Sequence, residues 1–315
     1  MAACGVAGLV GVHGSAEPAP AWVFSALVAA LTLGFPLLIG IATALSDQGD
    51  ARLVSGLRAT FVTGYVIGLC LVPVASLADA QGLHIDPLAV AGGFAVLIGV
   101  SAWFVRLPGS DRDAVTVEAT TDAAPMRRRI VVVASLAVLM LIAADTLRLV
   151  YLPLHVVGDG IAPQWISVLF LACVLAELPI LPLLGRLTDR HGSSKALIVI
   201  CALGLTSFGM LAAGGGIAFL VASQIVYAPF AAGVQSVAMV HLGGIVRGGL
   251  SAGAGLFAAI MQLGALTGVA APLLVPGYSG WIFLLPAGFC AMALLMIALA
   301  SPAAGQNADA RVAGP

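Results

Sequence analysis

Three ionisable residues stand well inside long apolar stretches. Charge there is costly and marks a cavity, a partner or a solute pathway. Asp145 and Arg148 lie in the stretch 130–157, and Glu177 lies in 163–184. A spacing of three puts Asp145 and Arg148 on one helical face, where they read as a local ion pair. Glu177 has the chemistry of a proton-coupling or solute-binding carboxylate. Desolvation raises the pKa of a buried acid, so it can take up and release a proton during a cycle. Its other reading is a neutral acid hydrogen-bonded to a neighbouring helix. Gln235 and Gln262 occupy later apolar stretches, where an amide either binds a polar solute or bonds across helices.

Depth separates the three charges. Counting from Ile130 puts Asp145 ~22 Å and Arg148 ~27 Å along their helix, and counting back from Gly185 puts Glu177 ~12 Å from the same side. Glu177 and Arg148 are then ~15 Å apart in depth, too far for a salt bridge. Glu177 reads as a lone acid near mid-membrane, and Arg148 as close enough to the opposite interface to snorkel. Pro179 and Pro182 follow Glu177 and loosen the backbone where a cavity forms. Tyr151, Trp165 and Tyr227 sit toward the outer parts of their stretches and read as interfacial anchors rather than sugar platforms.

Other chemistries lack residues. The five cysteines (Cys4, Cys70, Cys173, Cys201, Cys290) are scattered, mostly within apolar runs, and read as small buried hydrophobes. No metal-ligand spacing, phosphate loop or nucleophile–base pair occurs, so the expectation is no enzyme, no metal and no cofactor. Gly214-Gly215-Gly216 reads as a tight turn between helices.

The elements that position these residues follow from composition. The 315 residues are 61% hydrophobic and 9% charged, against roughly 25% charged in soluble domains. So few charges cannot cover the surface of a soluble fold this large. The formal net charge of −1 and the absence of a basic patch exclude nucleic acid as a partner, and the apolar content excludes disorder. The apolar runs are 22–46, 57–78, 86–106, 130–157, 163–184, 195–213, 217–242, 249–275 and 280–300. Each is close to the ~20 residues a spanning helix needs. The runs are continuous rather than alternating, so the fold is all-α, a polytopic membrane bundle of about nine spans. The run at residues 2–12 is too short to span and has no preceding basic residue, unlike a signal peptide.

Twelve of the thirteen basic residues fall on one side of this arrangement, and the connections 79–86, 158–162, 214–216 and 276–279 hold none. The basic side is cytoplasmic by the positive-inside rule. The expected organisation is an incomplete helical half over 1–106, a cytoplasmic linker over 107–129, a six-helix half over 130–300 and a cytoplasmic tail over 301–315. Gly64/Gly68, Gly249/Gly253 and Gly264/Gly268 have the four-residue spacing of close helix–helix contact.

Gly185-Arg186-Leu187-Thr188-Asp189-Arg190-His191-Gly192 resembles the cytoplasmic loop signature of the major facilitator superfamily, G-x-L-x-D-R-x-G followed by basic residues. The basic follow-up is weak here, since Ser193 and Ser194 precede Lys195. Leu57-Arg58-Ala59, Tyr65-Val66-Ile67-Gly68, and the stretch from Tyr151-Leu152-Pro153-Leu154 to Ala176-Glu177-Leu178-Pro179 are similar to the sugar efflux transporter group of that superfamily. The resemblance covers about residues 22 to 300. It implies proton-coupled export of sugars or similar small polar solutes by alternating access, from a multi-pass protein of the plasma membrane with a cytoplasmic C-terminus. Lipid, protons and a small polar solute are the implied partners. The alternatives are a drug exporter of the same superfamily and a transport-incompetent fragment.

The superfamily has twelve helices in two halves, whereas here three spans precede the linker and six follow it. The resemblance therefore implies that the first two helices are missing, with residues 1–14 as the tail of a third, and that a reading frame extended upstream gives a more stable protein. It also implies, by pseudo-symmetry, that Gly185, Asp189, Arg190 and Gly192 form a conformational loop motif and that Asp189 meets residues 55–59, including Arg58. The topology has a direct test. Single cysteines at Thr120 and Gly215 in a cysteine-free background should label from opposite sides of the membrane, and labelling from one side refutes it.

Overall fold

The computed structural model describes residues 125–162, 164–247, 249–275 and 279–300, together with Thr63 and Gln81. The three earlier apolar runs, Arg58, Gly64/Gly68, most of the 107–129 linker and the 301–315 tail lie outside the described residues. Six helices follow one another: α1 (Pro125–Gly158), α2 (Gln164–His191), α3 (Ser193–Ala213), α4 (Ile217–Ile245), α5 (Gly249–Ala270) and α6 (Leu284–Ala300). Short 3-10 turns at Ala271–Leu274 and Gly280–Phe283 link the last two. All six belong to one of the two compact units into which the chain divides. Six segments are long and apolar enough to cross a membrane, and each coincides with an apolar run read from the sequence.

The connections explain the antiparallel order. Gly214 and Gly215 have φ of 73° and 153°, conformations that residues with a Cβ rarely adopt. They turn the chain between α3 and α4 without a loop. The glycine at 192 does the same between α2 and α3, with φ of 84° and its N–H on the Thr188 carbonyl at 2.9 Å.

The 185–192 stretch is not a loop. The helix runs through Gly185, Asp189 and Arg190 to His191, and Gly192 alone interrupts it. After Pro182 only Gly185 weakens the helix before Gly192, and the Thr188 hydroxyl bonds back to the Leu184 carbonyl at 2.8 Å. Pro179 and Pro182 also lie within the continuous helix. Arg190 and His191 fall in its last turn, where cations complement the helix dipole.

In the bundle, α4 packs against α1, α2, α3 and α5, while α1 packs against α4, α5 and α6, and α3 against α6. Exchanging α1 with α4, α2 with α5 and α3 with α6 maps the α3–α4 contact onto α6–α1, and α2–α4 onto α5–α1. That is the packing of two three-helix repeats. The clearest departure from the exchange is that α4 and α5 pack closely, whereas α1 and α2 touch only sparingly.

Small residues set the closest approaches. A Cβ on Gly264 would lie 2.8 Å from Ile142 Cβ, and one on Gly268 would lie 2.9 Å from Thr146 Cβ, so this pair seats α5 on α1. The other pair divides. Gly253 abuts Gly243 of α4, but Gly249 has open space around it and starts α5 with φ of 66°. Cys173, Cys201 and Cys290 are buried and outside any disulfide, as the sequence suggests; Cys4 and Cys70 lie outside the described residues.

Replacing Gly268 by Leu should force α5 off α1 and cost about 1–3 kcal/mol. Gly209→Ala, where no atom lies within 4 Å of the added Cβ, should leave stability unchanged or slightly raised. Thermal unfolding in detergent compares the two, and equal melting contradicts the packing.

Candidate functional site

The polar residues of α1 find their partners on α4. Asp145 and Arg148 are three apart on α1, and Gln224 and Tyr227 are three apart on α4. The helices are antiparallel, so two such pairs meet as two rungs. Arg148 Nη2 donates to Gln224 Oε1, and the Tyr227 hydroxyl donates to Asp145 Oδ1. Counting from Gly158 and Ile217, Arg148 lies ~15 Å and Gln224 ~10 Å deep, while Asp145 lies ~20 Å and Tyr227 ~15 Å deep. The same offset at both rungs is what a common register requires.

The guanidinium is enclosed. Arg148 is 3% exposed, with its Cζ 4.0 Å from the Tyr227 ring centroid and 4.9 Å from that of Phe170 on α2. Aromatic faces attract a desolvated cation. Arg148 therefore does not snorkel to the interface, and Asp145 is not its salt-bridge partner; each bonds to a different residue of α4. Tyr227 is likewise corrected: it is buried and hydrogen-bonded rather than an interfacial anchor. Trp165, exposed near the start of α2, fits the anchor role, and Tyr151 is half-buried.

Behind the rungs, the network continues into α3. Gln224 Nε2 donates to Ser223 Oγ at 3.0 Å, and Ser223 Oγ to the Leu220 carbonyl at 2.7 Å. Ser207 of α3 donates to the Ser223 carbonyl at 3.0 Å. Phe208, Tyr227 and Phe230 pack at 5.4–5.8 Å between ring centroids and wall this side with apolar surface.

Glu177 stands in the middle of α2 and is 3% exposed. Its depth relative to the α1 pair depends on the end from which the helices are counted. From the Gly158 and Gln164 ends Asp145 and Glu177 both lie ~20 Å deep, and from the Pro125 and His191 ends they lie ~30 Å and ~21 Å deep. On α2, Phe170, Cys173 and Glu177 follow at intervals of three and four, hence on one face. Phe170 covers Arg148, and Cys173 is within electrostatic reach of Tyr227.

Gln235 is half-buried on α4 and Gln262 exposed on α5; neither is hydrogen-bonded to the network. Asp189 and Arg190 are exposed at the end of α2, and Arg58, the expected neighbour of Asp189, lies outside the described residues. Among the described residues, no group of His, Cys, Asp and Glu is arranged to hold a metal ion. Gln224, Ser223 and Ser207 are site residues that the sequence reading passed over. The signal for Gln224 was present: a Gln–Tyr pair on α4 with the same spacing as Asp–Arg on α1.

Six apolar helices of spanning length around a buried polar network define a multi-pass helical membrane protein. No family model matches the chain. The chain is similar to sugar efflux transporter A of Dickeya chrysanthemi, at 24% identity over 234 residues that cover 73% of this chain. The chain spans 58% of the length of that relative.

Gln224→Leu leaves a buried guanidinium without its acceptor and should cost about 2 kcal/mol. In a double-mutant cycle with Arg148→Met, the two changes should couple by more than ~1 kcal/mol. Additive losses in detergent unfolding would show that the Arg148–Gln224 rung does not form.

Proposed function

We propose that this chain belongs to a secondary transporter that exports sugars or similar small polar solutes by proton antiport and alternating access, with major facilitator architecture. One observation carries the reading: a charged, hydrogen-bonded network enclosed by helices that are otherwise apolar. Such groups are costly in a membrane and face solute pathways or one another. The similarity to a named sugar efflux transporter supports the solute class, and the α1/α4 exchange in packing supports the repeat architecture.

In this reading Asp145, Arg148, Gln224 and Tyr227 form the polar centre between α1 and α4. Glu177, buried in the middle of α2, is the proton-coupling carboxyl. It holds a proton when shielded and releases it when the pathway opens to water. Gln235 and Gln262 are further solute-facing candidates on α4 and α5. Gly185, Asp189, Arg190 and Gly192, with Arg58, act on the conformational change rather than on the solute.

Glu177→Gln mimics the protonated acid. It should leave the protein inserted and folded but remove the dependence of sugar export on an imposed pH gradient in proteoliposomes. Export that keeps its pH dependence would reduce Glu177 to a structural acid.

A further inference from the structure

Arg148 holds a donor that the network leaves open. Its Nη2 is taken by Gln224, and its Nε is buried with no hydrogen-bond partner. A buried donor without an acceptor costs on the order of 1–3 kcal/mol, more when charged. The matching acceptor stands three residues away. Asp145 is only half-buried, and Tyr227 engages its Oδ1, while Oδ2 has no hydrogen-bond partner among the described residues. One face of α1 thus offers one charged donor and one charged acceptor, side by side.

That combination selects among ligands. A hydroxyl both donates and accepts, so adjacent hydroxyls of a polyol satisfy Asp145 and Arg148 together. A phosphate or carboxylate wants two parallel donors from the guanidinium. Gln224 occupies one arm of that fork, and the Asp145 carboxylate repels a second anion. An ammonium meets the Arg148 charge, and the Tyr227 ring that would attract it already faces the guanidinium. On this face of α1 the charges of Asp145 and Arg148 offset each other and leave no excess for a charged solute.

We propose that Asp145 and Arg148 form a hydroxyl-reading subsite for an uncharged polyol or sugar, one that discriminates against phosphorylated sugars. Phe170 is its cover. It lies over the guanidinium from α2, the helix that touches α1 only sparingly, and moving it aside admits solute to Nε. This inference deepens the export reading and rests on it.

The test uses the full purified chain. Binding of methyl glucoside, maltose and glucose 6-phosphate is read as ligand-induced change in melting temperature in detergent, without a proton gradient. Transport is read as counterflow of labelled methyl glucoside in proteoliposomes with each compound as competitor. Wild-type protein should bind and carry methyl glucoside, with glucose 6-phosphate competing at least about tenfold more weakly, the equivalent of one hydrogen bond to a charged group. Asp145→Asn, checked for folding by the same melt, leaves Arg148 uncompensated and should move the ratio at least about tenfold toward the phosphate. The wild-type comparison decides the matter even where the variant does not fold. Equal competition by glucose 6-phosphate while counterflow continues would overturn the subsite and leave the export reading standing. Folded protein that neither binds nor carries methyl glucoside or maltose would overturn the export reading, and the subsite with it.

Discussion

The burial of the Arg148 charge constrains the rest of this bundle. An ion taken out of water carries a penalty of several kcal/mol even after relaxation. The surrounding helices must therefore meet the guanidinium on each side. Gln224 supplies an acceptor, Tyr227 and Phe170 supply ring faces, and Asp145 supplies compensating charge one turn away. These demands set the register of α1 against α4. They also fix which face of α4 turns inward, and that face brings Ser223 to Ser207 and so ties in α3. Phe208 and Phe230 then close around Tyr227.

Packing elsewhere is divided between firm and loose contacts. Gly264 and Gly268 let α5 lie close on α1, and Gly243 and Gly253 let it lie close on α4. In these contacts the glycine backbone lies directly on the backbone or Cβ atoms of the facing helix. The α1–α2 pair has no such seam, although it is the counterpart of α4–α5 under the exchange of repeats. Its described link to the polar centre runs through side chains, with Phe170 against Arg148. Side-chain contacts of this kind can part without unpacking a helix.

Much of the fold was legible because membrane spans are written in composition. Each described helix falls on an apolar run, and the Gly214–Gly216 turn and the buried thiols follow from residue type. Helix ends were less legible, since hydropathy reports where lipid ends and not where the backbone stops. α2 therefore continues through Asp189 and Arg190, which are polar but compatible with a helix. That extension also places Glu177 at mid-helix. The site was half legible. Asp145, Arg148 and Glu177 stand out as charges, and all three belong to the interior. Their partners depend on rotation of one helix against another, which periodicity does not specify when apolar residues surround the whole circumference. Gln224 and Tyr227 were hidden for that reason.

The unbroken course of α2 makes it a mechanical part. Glu177 near its middle and Asp189 near its end are joined by twelve residues of continuous helix, a strut of ~18 Å. Pro179 and Pro182 lie just past Glu177, where each removes a backbone hydrogen bond and lets the helix bend. A tilt of about 10° pivoting near Glu177 carries Asp189 sideways by ~3 Å, as follows from the helical rise. A bend there that follows the seating of the buried carboxyl would be amplified at the charged tip, with Gly192, at φ of 84°, separating it from α3.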